Sequence, residues 1–317
     1  MIKIFASNQP FVTALIPLLI IGHMALDIFF PDFRATASLA NNLWDFSFEH
    51  IDRWFLRLGG LMVLSLNAFI LNRTFNSHEF YEKNTYLPSL IYLLLVFLFP
   101  SSLELTNFLI SHTFFILCIS KIYDIKQNDD ARASTFLAGL FLGMAITFQP
   151  AFIYFTPFLW LCTISIRPFV IREYVLPLLG ILIVLAWVFL VNPDFYETFL
   201  KFDSSINYSD FDLMFRWSLI VVLLLLIIIG YKNIFDRYAK SSIRFKRISG
   251  LTNYVFLFSL IIGNAALVIS GSLYYFGISS VILSYILPYA YLDIRPKWAS
   301  AILIYLLLVI NVVKFLY

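Results

Sequence analysis

The sequence predicts an all-α, polytopic integral membrane protein with about eleven transmembrane helices, its N-terminus inside and its C-terminus outside. Three observations predict it. Hydrophobic residues make up 61% of the 317 residues and charged residues only 13%, against roughly 45–50% and 25% in a soluble domain. Apolar runs fill the chain end to end. Taken alternately, the loops between the runs put most of the basic residues on one side. This composition excludes an ordinary soluble enzyme, a disordered chain and a nucleic-acid-binding protein.

The runs lie at about 9–30, 54–71, 86–99, 104–123, 134–148, 151–166, 174–192, 217–231, 253–270, 273–290 and 298–316. The first follows Lys3, contains His23 and Asp27, and has no small-residue cleavage site after it, so it is read as a retained span. The third, fifth and sixth are short for a hydrocarbon core that takes about 20 residues to cross. Hard punctuation still closes them: Pro100-Ser101-Ser102 after the third, and Gln149-Pro150 between the fifth and sixth. Their ends must be buried in protein or line a wet cavity. With Lys3 inside, the inner loops hold sixteen of the 22 basic residues, while eleven of the 19 acidic residues fall outside.

Loop lengths carry the organisation further. The outer loops are about 31–53, 100–103, 149–150, 193–216 and 271–272, so chemistry belongs at the outer face, where the two long ones converge. Residues 35–54 show helical spacing of apolar positions, with Trp44 and Trp54 as anchors, and fit a helix lying in the interface. The loop 193–216 is acidic and aromatic. The inner loop 232–247 carries six basic residues and one acid; it reads as a topology determinant or as a docking site for anionic lipid or a partner. No internal repeat or linker interrupts the chain, which is read as one domain over 1–317, with a core at 1–192 and additional spans at 193–317.

A few polar residues stand out against this background. Asp27 lies near the outer end of the first span, four residues after His23 and on the same helix face, and Asp32 follows just beyond Pro31. Ionisable groups inside a span usually face a protein interior or a cavity. A half-buried carboxylate with raised proton affinity suits general-base work; an ion pair for Asp27 and a helix cap for Asp32 are the structural alternatives. Arg53 and Arg57 sit four apart at the outer end of the second span. Arginine holds phosphate bidentately, and an ion pair with Asp27 or Asp52 explains the pair equally well. Glu104 and Gln149 come to the same outer face in tight turns and are candidate rim residues for substrate. His112, Asn67, Asn107, Asn264 and Asn311 are expected to make interhelical hydrogen bonds, and Gly139-x-x-x-Gly143 to mark close helix packing. Cys118 and Cys162 lie in apolar runs and the four histidines are scattered, so no metal or cofactor is expected.

Asp27-Ile-Phe-Phe-Pro-Asp32 after the first span, and Ala138-Gly-Leu-Phe-Leu-Gly-Met-Ala145 followed by Gln149-Pro-Ala-Phe, make residues 1–192 resemble the polytopic glycosyltransferases of the C-type fold. The resemblance extends to the inside N-terminus, the long first outer loop and the short outer turns. It implies transfer of a sugar from a polyprenyl phosphate at the outer face of a bacterial inner membrane. Asp27 or Asp32 would be the base and Arg53 or Arg57 a phosphate contact, with membrane lipid as partner. A clear Asp-x-Asp or Glu-x-Asp motif, which the resemblance leads one to look for, is read as missing. The Phe- and Ile-rich chain also resembles an uncharacterised family of Bacteroidota membrane proteins, which implies no activity. The rival expectation is a non-catalytic scaffold or accessory subunit of a cell-envelope complex, packed against a membrane protein partner. A transporter would show inverted repeats and charges near the midplane; the charged positions here gather at one face.

Overall fold

A computed structural model describes residues 2–29, 52–99, 105–125, 130–166, 170–193, 213–270, 274–292 and 297–314. Every regular element among them is helical. In chain order these are α1 (Ile2–Phe5), α2 (Val12–Phe29), α3 (Arg53–Ser77), α4 (Leu87–Val96), α5 (Asn107–Tyr123), α6 (Arg132–Phe148), α7 (Thr156–Ile166), α8 (Ile171–Val191), α9 (Leu213–Tyr238), α10 (Ile243–Ser270), α11 (Ser279–Ile286), α12 (Pro288–Leu292) and α13 (Lys297–Val313). Short 3₁₀ turns open the sixth run at Pro150–Phe155 and the tenth at Tyr274–Ile278. All eleven apolar runs are therefore helical. Among the described residues five segments are long and apolar enough to cross a membrane: Val12–Phe29, Trp54–Ser77, Ile171–Val191, Ser218–Tyr238 and Ile243–Ala265. Residues 35–51 of the predicted interfacial helix and 194–212 of the second long loop fall outside the described residues, and the predicted anchor Trp54 lies in the first turn of α3.

Helix length sorts with position. The ten-residue α4 is buried at every residue, as is α11. Both pack among other helices, against each other and, for α4, against α3 and α13. A helix sheathed in protein meets no hydrocarbon, so its length need not match the bilayer. The long helices lie outside and leave apolar side chains uncovered, such as Met62 at 68% exposure, Leu190 at 78% and Ile228 at 62%. Water would penalise such a belt and lipid would not.

The Gly139/Gly143 spacing does close-packing work. α6 packs most extensively on α8, with α5 on its other side. A Cβ on Gly180 of α8 would lie 2.6 Å from the Leu140 nitrogen and the Phe136 carbonyl, and Gly139 meets the Pro177 backbone just as closely. Small residues on both helices let the two backbones touch.

Within the core, Asn67 Nδ2 donates to the Leu109 carbonyl at 3.0 Å and to the Tyr92 hydroxyl at 3.3 Å, and that hydroxyl also meets His112 Nδ1 at 3.3 Å. Asn311 Nδ2 donates to the Leu94 carbonyl at 2.9 Å. These are the expected links between helices. Asn264 differs: exposed, it donates to the Leu260 carbonyl of its own helix at 2.8 Å.

The ends of the helices form two groups. At one end the Tyr86 nitrogen donates to the Phe5 carbonyl at 2.8 Å, Tyr289 Oη to the Phe80 carbonyl, and Arg237 Nη2 to Glu82 at 3.0 Å. His78 lies 3.4 Å from Asp124 there, and Tyr123 Oη 2.8 Å from Thr252 Oγ1. α3 stops at this end in a Schellman turn. The Phe80 nitrogen reaches back to the Phe75 carbonyl and the Glu79 nitrogen to the Asn76 carbonyl, both at 3.2 Å. The two phenylalanine rings stack at 5.0 Å, and Glu79 takes the left-handed position at φ 55°, a place usually held by glycine.

Candidate functional site at the opposite helix ends

The other end gathers the C-terminal turns of α2, α4 and α13 and the N-terminal turns of α3. Asp52 caps α3, its Oδ1 accepting from the Trp54 nitrogen at 3.2 Å. That cap places Arg57 one turn further in, buried, facing the last turn of α2. Arg57 Nη2 donates to Asp27 Oδ2 at 3.0 Å, the guanidinium only 7% exposed and the carboxylate 23%. The Trp54 ring centroid lies 5.9 Å from the guanidinium carbon, so an aromatic face backs the cation. Of the two carboxylates weighed for Arg57, Asp27 is the one it meets.

His23, one turn before Asp27, is buried, and its ring stacks on Phe97 at 4.1 Å between centroids. Phe97 also accepts, at its carbonyl, a hydrogen bond from Lys314 Nζ. Lys314 is buried and lies within electrostatic reach of both Asp27 and His23. Among the described residues the result is a cluster of two basic side chains, one carboxylate and one imidazole, contributed by three helices and seated on the end of a fourth.

Leu105 joins this end. Its nitrogen donates to the Leu56 carbonyl at 2.8 Å, and its side chain lies 3.1 Å from where a Cβ on Gly59 would stand. Its neighbour Glu104 is outside the described residues, as are Asp32 and the side chain of Arg53. Gln149 is buried in extended backbone between α6 and the Pro150–Phe155 turn. That turn packs chiefly on α6, α7 and α10, not on the helices that carry Asp27 and Arg57. The sixth run thus opens with a 3₁₀ turn because Pro150 pushes its predecessor out of the α region.

Sequence reasoning missed Lys314, counted only as an outer charge, and Phe97. The available signal was a lone basic residue within the last apolar run. It also passed over an Asp-x-Asp spacing at Asp210 and Asp212 in the second long loop, outside the described residues. Among the described residues no group of three His, Cys, Asp or Glu side chains could hold a metal ion. Comparison with known protein families, characterised proteins and solved structures finds no match.

Proposed function

We propose that the chain is an eleven-span protein of a bacterial inner membrane, N-terminus inside, that works at its outer face as a polyprenyl-phosphate-sugar glycosyltransferase-like protein. The observation that carries the reading is the Asp27–Arg57 pair with Lys314 beside it, at the helix ends that the first long loop connects in sequence. Arg57 is the phosphate contact of this reading and Lys314 supports it electrostatically. In the structure the Asp27 carboxylate is engaged by Arg57. The lipid phosphate resolves this by exchange: it takes over the guanidinium and releases the carboxylate. Asp27 then deprotonates an acceptor hydroxyl, the acceptor oxygen bonds to the anomeric carbon with inversion, and the polyprenyl phosphate leaves with its charge held by Arg57. Asp32, Arg53 and Glu104 remain candidate members of the same site, whereas Gln149 lies with the α6, α7 and α10 packing instead.

The closed ion pair also favours a second reading, a scaffold subunit in which the cluster only joins α2, α3 and α13. Asp27→Asn and added polyprenyl phosphate together separate the two. The amide keeps the shape and loses the basicity. Because Arg57 is paired with Asp27 in the structure, both readings expect the change to leave a buried guanidinium without that counter-ion, at a cost of about 3–5 kcal/mol in stability. The glycosyltransferase reading also expects loss of sugar transfer from polyprenyl-phosphate donors by the protein that remains folded, and a raised melting temperature when polyprenyl phosphate is added. A melting temperature that polyprenyl phosphate leaves unchanged, in wild type and variant alike, would favour the scaffold.

A further inference from the structure

At the far end from this cluster, α9 and α10 are joined by a turn at residues 239–242. Around it lie Lys232, Arg237, Lys240, Arg244, Lys246 and Arg247, with Asp236 as the only acid. Two of the six cations are turned to the protein. Arg237 pairs with Glu82 at 3.0 Å and lies 4.6 Å from the Tyr81 ring centroid. Arg244 pairs with Glu79 at 3.1 Å and donates to the Ser77 carbonyl at 3.3 Å. These contacts tie the hairpin to the loop after α3. Among the described residues none of the other four pairs with a carboxylate. Lys232 and Lys240 are exposed; Lys246 and Arg247 are half-buried, and Lys246 lies 5.5 Å from the Tyr238 ring centroid. Beside them Phe235 is 79% exposed and Ile243 85%.

A turn that pairs off two arginines, keeps four cations unneutralised and holds out two large apolar side chains matches one surface chemically. Phosphate headgroups take the cations, and the acyl boundary beneath them takes the apolar groups. We propose that the α9–α10 turn is a docking surface for anionic phospholipid in the membrane that α9 and α10 themselves enter. Lys232, Lys240, Lys246 and Arg247 meet headgroup phosphates, and Phe235 and Ile243 anchor at the acyl boundary. A protein partner is the less favoured occupant, because both apolar side chains sit at the ends of membrane-crossing segments, at headgroup depth. The proposal stands independently of any activity at the opposite end.

The test uses the full chain in nanodiscs of phosphatidylcholine with a minor share of phosphatidylglycerol. Bound lipid is extracted after transfer to detergent and its phosphatidylglycerol enrichment measured. A variant carrying Lys240→Gln, Lys246→Gln and Arg247→Gln leaves Arg237 and Arg244 in place to hold the hairpin. The surface contributes roughly fivefold in partition per basic residue before screening, so the variant is expected to lose about tenfold or more of the enrichment at an unchanged melting temperature. Wild-type enrichment is expected to fall with added salt, a readout that serves even if the variant does not fold. Enrichment insensitive to salt, or equal in a folded variant, overturns the proposal. So does a protein that co-purifies with wild type and not with the variant while lipid enrichment stays equal.

Discussion

Glu79 shows what a single residue can conceal. Its backbone occupies the left-handed region at the C-terminus of α3, where a side chain costs roughly 1–2 kcal/mol. Its carboxylate pairs with an Arg244 that is itself 43% exposed, and exposed pairs return about 0.2–1 kcal/mol. Glu79→Gly is therefore expected to stabilise the protein by about 0.5–1 kcal/mol, read as a raised melting temperature in detergent. A lowered one would mean that the tie to Arg244 outweighs the strain. Nothing in the sequence announced this turn, because glutamate is a poor marker of left-handed backbone. Lys314 was hidden for a different reason: its partner, the Phe97 carbonyl, is 217 residues away. Asp27 and Arg57 were legible as candidates because each is a charge near the end of an apolar run. That they meet follows from the antiparallel course of α2 and α3.

At the scale of elements, apolar runs were legible because composition alone reveals them, and the short ones were legible as helices with buried ends. Which helices form the interior was not, since that depends on α4 and α11 meeting from distant parts of the chain. The α6–α8 contact was half legible: the Gly139/Gly143 spacing marked one face, while Gly180 and Pro177 on the partner carried no comparable pattern. Packing of backbone against backbone leaves no room to relax, so Gly180→Leu is expected to cost about 3 kcal/mol or more, at or beyond the upper end of ordinary overpacking. Gly22→Leu, with nothing within 4 Å of its Cβ position, is the matched control and is expected to be neutral. Unfolding in increasing denaturing detergent reads both. Equal stability of the two variants would mean that the α6–α8 contact is looser than described.

For the whole molecule, the contacts among the described helix ends named above fall into two groups. Residues 5, 86, 124, 237 and 292 lie together at one end, and residues 27, 57, 97, 105 and 314 at the other. A reporter active only outside the cytoplasm is expected to be active when fused at Tyr317 and silent when fused after Arg247. The reverse pair would invert the orientation and move the Asp27–Arg57 cluster to the cytoplasmic face. The central claim is that this cluster receives a lipid-linked phosphate. The most direct measurement is binding of a polyprenyl phosphate to the purified full chain by native mass spectrometry, for wild type, Asp27→Asn and Arg57→Gln. Exchange of Arg57 from carboxylate to phosphate predicts retention in wild type, equal or tighter retention in Asp27→Asn, and loss of about tenfold or more in Arg57→Gln, as expected when a buried charge-assisted contact is removed. Equal retention by folded wild type and Arg57→Gln, or none by wild type, would contradict it.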